Sequence, residues 1–206
     1  MYGRRVIRAA PWPALLTSAG ASAVLLVIAT LAHSTSLCWP IALLGLSACG
    51  ATAAYVLDEE STAVADSTPA SRLRRTCWRI PIAALPVSVA TISLLTLDRL
   101  DPATHWLRLI PLSWGSIAIG LALAATLRWR GSAVPGDLAS VLTLATTVLV
   151  VMTNPLRHWA AVAPLGDTAG VGRSVSLWIM VVAGCAVVVL ACSQDPGRLV
   201  RKAAPR

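Results

Sequence analysis

Charged residues are scarce in this chain, at 13% of its 206 residues, whereas 56% belong to the apolar set. Soluble domains average roughly a quarter charged residues, so this shortage indicates lipid as the main surrounding medium. The net charge of +8 does not indicate nucleic acid binding, because the basic residues lie at the ends of apolar runs and form no single stripe. We therefore expect an integral membrane protein with no nucleic acid partner.

The common catalytic and energy-coupling motifs are also missing. The sequence has no GxxxxGK[ST] phosphate loop, no HExxH motif, no CxxC pair and no recognisable Ser, His and Asp set. No apolar run carries Asp, Glu, Lys or Arg near its middle, where residues for proton or sodium coupling are usually found. We expect no enzyme activity, no cofactor and no metal site, so energy for any transport must come from a partner.

What the chain does contain is six apolar runs, each close to the roughly 20 residues that cross a bilayer core as a helix. The predicted spans cover about residues 14–34, 38–57, 81–97, 109–127, 138–153 and 174–192. We predict an all-α integral membrane protein in which residues 1–206 form a single transmembrane domain.

The distribution of Lys and Arg predicts the orientation. With the N-terminus inside, thirteen of these residues fall in cytoplasmic segments and four fall in outer ones, namely Arg99, Arg108, Arg157 and Arg173. This asymmetry is typical of the positive-inside rule. Both termini are predicted to be cytoplasmic, in a multi-pass protein of a bacterial plasma membrane (the cell inner membrane).

Six of the eight tryptophans fall at predicted span edges, where amphipathic rings meet lipid headgroups. Those at inner edges are Trp12, Trp78 and Trp129, and those at outer edges are Trp39, Trp106 and Trp159. Trp114 and Trp178 fall inside the fourth and sixth spans. We favour lipid-facing or packed positions for both over contact with a substrate.

The first two spans are joined by only a few residues and are rich in small side chains. In lipid, helices associate through close packing, and a spacing such as Gly45 with Cys49 allows backbones to approach. We expect a tight antiparallel hairpin, with these small residues packing inside one chain rather than forming a dimer face.

The longest polar interruption is DEESTAVADSTPASRLRRTCWR, from Asp58 to Arg79, within a predicted cytoplasmic loop of residues 58–80. Ser67 or Thr68 can cap a short helix with Pro69 in its first turn, and Pro81 would end or kink it. Helical spacing puts arginines on one face and apolar residues on another. The arginines are Arg72, Arg75 and Arg79, and the apolar residues are Leu73, Cys77 and Ile80.

Two interpretations of this loop remain open. The acidic triplet Asp58, Glu59 and Glu60 can pair with these arginines or with basic residues of a partner protein. Alternatively, the arginines hold the loop at the anionic inner surface of the membrane, which makes lipid the partner.

A longer external segment, residues 154–173, joins the fifth and sixth spans and alternates apolar patches with Pro and Gly. This pattern is typical of a segment that dips into the outer leaflet, and an ordinary ordered loop is nearly as well supported. Arg157 and His158, next to Trp159, can contact lipid headgroups.

The six-span layout and the stretch AAYVLDEESTAVADSTPASRLRR resemble the membrane subunit of an ABC-2 type transporter, in particular small actinobacterial permease-like proteins. The resemblance implies that residues 58–80 form a coupling helix region docked on a cytoplasmic ATP-binding subunit. It also implies that segment 154–173 closes the outer side of the pathway, with Arg157, His158 and Trp159 as candidate gate residues. The candidate ATPase contacts are Asp58, Glu59, Glu60, Arg72, Arg74, Arg75 and Arg79.

The sequence thus predicts the permease subunit of an ATP-driven exporter, working as two copies or beside a similar six-span subunit. Because its spans lack charge, a hydrophobic or amphipathic small molecule or a lipid is the expected cargo. The alternative is a non-transporting membrane accessory, sensor or immunity-type protein that binds a cytoplasmic partner through the 58–80 loop.

Overall fold

The structure is a computed structural model that describes residues 11–33, 35–57, 72–132, 135–154, 162–163 and 171–194, without the side chains of Arg72 and Arg75. All regular elements among these residues are helices, and six helical segments are long and apolar enough to cross a membrane. The predicted class, an all-α membrane protein with six spans, is confirmed. Which end faces the cytoplasm stays a prediction.

Seven α-helices form the described part of the chain. They are α1 (Trp12–Leu31), α2 (Cys38–Ala54), α3 (Arg72–Arg79), α4 (Ala84–Leu100), α5 (Ile110–Trp129), α6 (Pro135–Thr153) and α7 (Val171–Cys192). Short 3-10 turns extend or join them at Tyr55–Leu57, Ile80–Ala83, Pro102–Thr104 and Trp106–Leu109.

The second span matches its predicted limits, and the other five differ from theirs by up to five residues at one end or both. The first span ends at Leu31, three residues early, because Ala32 already closes the helix with a bond from its N–H to Ile28 O of 2.9 Å. The third span is longer than predicted, since the turn Ile80–Ala83 joins α3 to α4 and helical conformation runs over Thr76–Leu100. Pro81 ends α3, as predicted, without ending the span.

Helices α2 and α5 form the centre of the bundle. Both α1 and α4 pack on α2, α6 packs on α2 and α5, and α7 packs on α5. The helix ends lie in two groups. The Arg79 end contains Trp12, Leu57, Arg79 and Trp129, and the Trp106 end contains Leu31, Cys38, Trp106 and Thr153.

Backbone contact between α2 and α5 requires glycine. A Cβ atom on Gly120 would lie 2.2 Å from Gly50 O, and one on Gly50 would lie 2.7 Å from Ser116 O. Because these neighbours are backbone atoms, they cannot rotate away as a side chain can. This is the close packing that drives helix association in lipid.

The α1–α2 hairpin forms as the small-residue pattern predicts. A Cβ atom on Gly45 would lie 2.7 Å from Leu26 Cγ, so that glycine receives the leucine side chain. Nearby, Ser22 Oγ and Thr52 Oγ1 lie 3.4 Å apart in the buried contact between the helices. Gly45, Ser22 and Thr52 therefore pack inside one chain, whereas Gly20 and Ala21 of α1 are exposed.

Candidate functional site

The short helix α3 lies against the Arg79 end of the bundle. Of the residues expected to contact an ATPase, Arg74 is exposed, whereas Arg79 is 1% exposed and is among the largest fully buried side chains. Asp58, Glu59 and Glu60 lie outside the described residues, and so do the expected caps Ser67, Thr68 and Pro69. Only the backbones of Arg72 and Arg75 are described, within α3.

Of the polar face predicted for α3, only the Arg79 side chain is described, and it points inward together with Thr76. Thr76 and Arg79, which are three residues apart, are both buried. Leu73 and Ile80 are exposed, as are Cys77 and Trp78 on the same outward side. An apolar outward face is what lipid at the membrane boundary would accept. The Arg79 side chain consequently lies inside the chain rather than on a surface open to a partner.

Two hydrogen bonds tie the helix ends together at this site. Arg128 at the end of α5 donates its Nη1 to Leu57 O at 3.3 Å, which joins α5 to the turn after α2. Ser193, just after α7, donates from Oγ to Val189 O at 2.6 Å, and its Oγ lies at a hydrogen-bond distance of 3.2 Å from Thr76 Oγ1. The site therefore couples α3 to α7 and α5 to α2.

A small cavity lies among these groups. Its volume of about 10 Å³ is near that needed for one water molecule. Thr76, Arg128 and Ser193 provide its polar lining, and Leu57, Ala125 and Cys192 complete it. Two buried hydroxyls and a half-buried guanidinium thus surround a space that can accept a hydrogen-bonding group.

Val162, one of the described residues of segment 154–173, packs into the Trp106 end of the bundle. Val162 is fully buried; its N–H donates to Asn154 Oδ1 at 3.3 Å, and its carbonyl accepts from Trp178 Nε1 at 2.9 Å. The Trp178 ring packs on Gly115, where a Cβ atom would lie 2.0 Å from Trp178 Cε3. The preferred packed position for Trp178 is confirmed, and the indole also anchors Val162.

Trp114 and Trp106 have opposite environments. Trp114 is 49% exposed on the outside of the bundle, as a lipid-facing ring would be. Trp106, predicted at the headgroup level, is instead 2% exposed and packs in the core with Val162 and Trp178. The candidate gate residues Arg157, His158 and Trp159 lie outside the described residues.

The sequence predicts the α3 segment, but it does not reveal which side chains meet at this end of the bundle. Thr76, Arg128 and Ser193 belong to three different segments, and no spacing in the sequence links them. One signal in the sequence points to this site: Arg128 stands at the very end of an apolar span. The count of Lys and Arg uses this residue only to predict the orientation of the chain. Comparison with known proteins gives no further guidance, since no family model, no curated protein and no solved structure matches this chain.

Proposed function

We propose that this chain is the transmembrane permease subunit of an ATP-driven exporter of the ABC type, which moves a hydrophobic or amphipathic small molecule or a lipid. The observation that supports the proposal is the position of α3 at the Arg79 end. A short helix there, which exposes Arg74 among apolar side chains, is a surface on which a cytoplasmic ATPase can act.

The contacts of α3 supply a route for force into the membrane. Thr76 is linked to Ser193 at the end of α7, and Arg79 is buried beside it on the same helix face. A displacement of α3 by a bound ATPase would therefore be passed to α7 and, through α4, to the rest of the bundle. This requires no ionisable residue inside a span.

The proposal includes a second copy or a similar six-span subunit. The Gly50 and Gly120 backbones touch at the middle of α2 and α5, which leaves no space between these two central helices. A path for cargo is then best placed between subunits rather than within one chain.

The lack of space between α2 and α5 also favours a second candidate function. The chain would then be a non-transporting accessory protein that presents α3 to another cytoplasmic partner. In that case the exposed Leu73, Arg74 and Trp78 would bind the partner, and no ATPase would be required. The two candidate functions differ in one measurable respect: only the transporter subunit is expected to copurify with ATP hydrolysis.

The deciding experiment is purification of the chain in mild detergent from its native membranes. We expect an ATP-binding protein and vanadate-sensitive ATP hydrolysis to copurify, and Arg74→Glu to reduce both at least fivefold, because it reverses an exposed charge on α3. Arg130→Glu, exposed at the same end but outside α3, is the matched control and should leave both unchanged. Equal losses in the two variants, or purification without ATP hydrolysis, would count against the transporter proposal.

The orientation can be measured separately with Cys77. It is exposed on α3, whereas the other four cysteines are buried or half-buried. A membrane-impermeant maleimide should label Cys77 in inside-out vesicles and not in intact cells, and a Cys77→Ser variant should lose the label. Labelling of Cys77 in intact cells would reverse the predicted topology.

A further inference from the structure

The polar cavity at the Arg79 end lies between two hydrogen-bonded pairs that belong to different helices. Arg128 Nη1 donates to Leu57 O at 3.3 Å, which joins α5 to the turn after α2. Thr76 Oγ1 and Ser193 Oγ lie 3.2 Å apart, which joins α3 to the end of α7. Thr76, Arg128 and Ser193 all line the cavity, so a group bound there would connect the two pairs.

The size of the cavity limits what can bind in it. Its volume of about 10 Å³ is near the smallest that holds one water molecule. A phosphate or a carboxylate has several heavy atoms and does not fit. The occupant must therefore be a single small molecule or ion.

The hydrogen bonds of the two hydroxyls determine what they offer to an occupant. A hydroxyl has one hydrogen to donate and two lone pairs that accept. Ser193 Oγ donates its hydrogen to Val189 O at 2.6 Å, so its contact with Thr76 Oγ1 uses the hydrogen of Thr76. Both oxygens keep lone pairs, and the hydroxyls therefore offer the cavity acceptors rather than donors.

Arg128 has the opposite character. A guanidinium carries five N–H donors and accepts nothing, and the half-buried Arg128 lines the cavity. An anion would be attracted to the guanidinium but would meet the lone pairs of two hydroxyls. A cation would be repelled by the guanidinium. A water molecule, which accepts from an N–H and donates two hydrogens, matches all three groups.

We propose that the cavity binds one water molecule, which accepts from the Arg128 guanidinium and donates to Thr76 Oγ1 and Ser193 Oγ. About three hydrogen bonds are typical of a buried water. This water joins the two pairs into one network, so a movement of α3 is passed to the central helix α5 as well as to α7. The water site does not depend on the proposed transport function, because it requires only these three side chains.

A crystal structure of the full chain in a lipidic mesophase, at a resolution that shows ordered water, tests the site directly. We expect one density peak at roughly 2.7–3.2 Å from Thr76 Oγ1, from Ser193 Oγ and from a guanidinium nitrogen of Arg128. The lack of a peak there, or a protein side chain in its place, would overturn the proposal. Replacement of the peak by bromide after a soak would show an anion site instead.

A double-mutant cycle tests the network independently, with reversible unfolding in mixed micelles as the measurement. Thr76→Val and Arg128→Met each remove one partner of the water. The two residues belong to different hydrogen-bonded pairs, so their effects on the folding equilibrium constant would simply multiply if no water joined them. We expect the double variant to lose at least about twofold less than the product of the two single losses.

Arg130→Met is the matched control for Arg128→Met, since Arg130 is exposed at the same end and lies outside the cavity. Its effect should multiply with that of Thr76→Val. Simple multiplication in both cycles would contradict the water-mediated network. Where Arg128→Met does not fold, the crystal structure of the unaltered chain decides the question.

Discussion

The last span is more apolar than the second span, but it is far less buried inside the chain. The most apolar stretch of 18 residues in Val171–Cys192 has a mean hydropathy of 2.6, the highest among the six spans, yet only 11% of that stretch is buried inside the chain. The corresponding stretch of Cys38–Leu57 has a mean hydropathy of 1.7, and 67% of it is buried. In water the more apolar helix would occupy the core. In lipid the relation reverses, because lipid tails are as apolar as leucine and provide no hydrophobic drive between helices.

The buried residues of the two helices show what replaces that drive. Helix α2 buries glycines and hydroxyls, including Gly45, Ser47, Gly50 and Thr52. Helix α7 buries only Ser174, Trp178 and Val189, while other apolar side chains, including Ile179, Val187 and Leu190, face outward. Backbone approach and a few polar contacts therefore add to buried leucines such as Leu43 and Leu46 in the centre, and many bulky apolar residues of α7 face the lipid.

The largest expected effect comes from adding a methyl group at the α2–α5 contact. Gly120→Ala should destabilise the folded chain by about 2–3 kcal/mol, because the new Cβ overlaps a backbone carbonyl that cannot move aside. Gly184→Ala on α7 is the control, since no atom lies within 4 Å of its added Cβ. It should cost nothing and can gain up to about 1 kcal/mol in helix propensity.

Thermal unfolding in detergent, followed by circular dichroism, measures both variants. If Gly120→Ala and Gly184→Ala unfold at the same temperature, the contrast between a tightly packed centre and an open last helix is wrong.

A smaller effect is expected at the one large residue that α7 buries. Trp178→Phe removes the hydrogen bond to Val162 O, for a loss of about 1 kcal/mol. Hydrogen exchange at the Val162 amide should then speed up about fivefold, because the segment loses one of its two anchors. Trp114→Phe, half-exposed on α5, should change neither stability nor exchange, and an equal response from both tryptophans would contradict the anchoring role of Trp178.

The smallest effect concerns a single hydroxyl of α2. Ser47 Oγ is fully buried and has no hydrogen-bond partner among the residues that the structure describes. Ser47→Ala should therefore raise stability by about 0.5–1 kcal/mol, since it removes a desolvated polar group. The matched change Ser176→Ala, at an exposed hydroxyl of α7 that donates to Gly172 O, should be close to neutral. A loss of stability in Ser47→Ala would indicate a bound water at that position.

The candidate site was predictable only in part. The position of α3 after a polar loop followed from the arginines and from Pro81, and Arg74 is exposed as a contact residue must be. The burial of Arg79 did not follow, because helical spacing fixes which residues share a face but not which face meets the bundle. The contacts of Arg128 with Leu57 and of Ser193 with Thr76 join residues 71 and 117 positions apart, beyond the reach of any local pattern.

The sequence by itself determined the class, the number of spans and most span limits to within three residues. The reason is physical: a helix in lipid must be long and apolar, and these properties belong to each segment alone. Only the tertiary structure decided which helices are central, which glycines touch, and how Thr76 and Ser193 come to line one cavity with Arg128. Those features depend on shape and on small residues meeting across helices, and mean hydropathy contains no information about either.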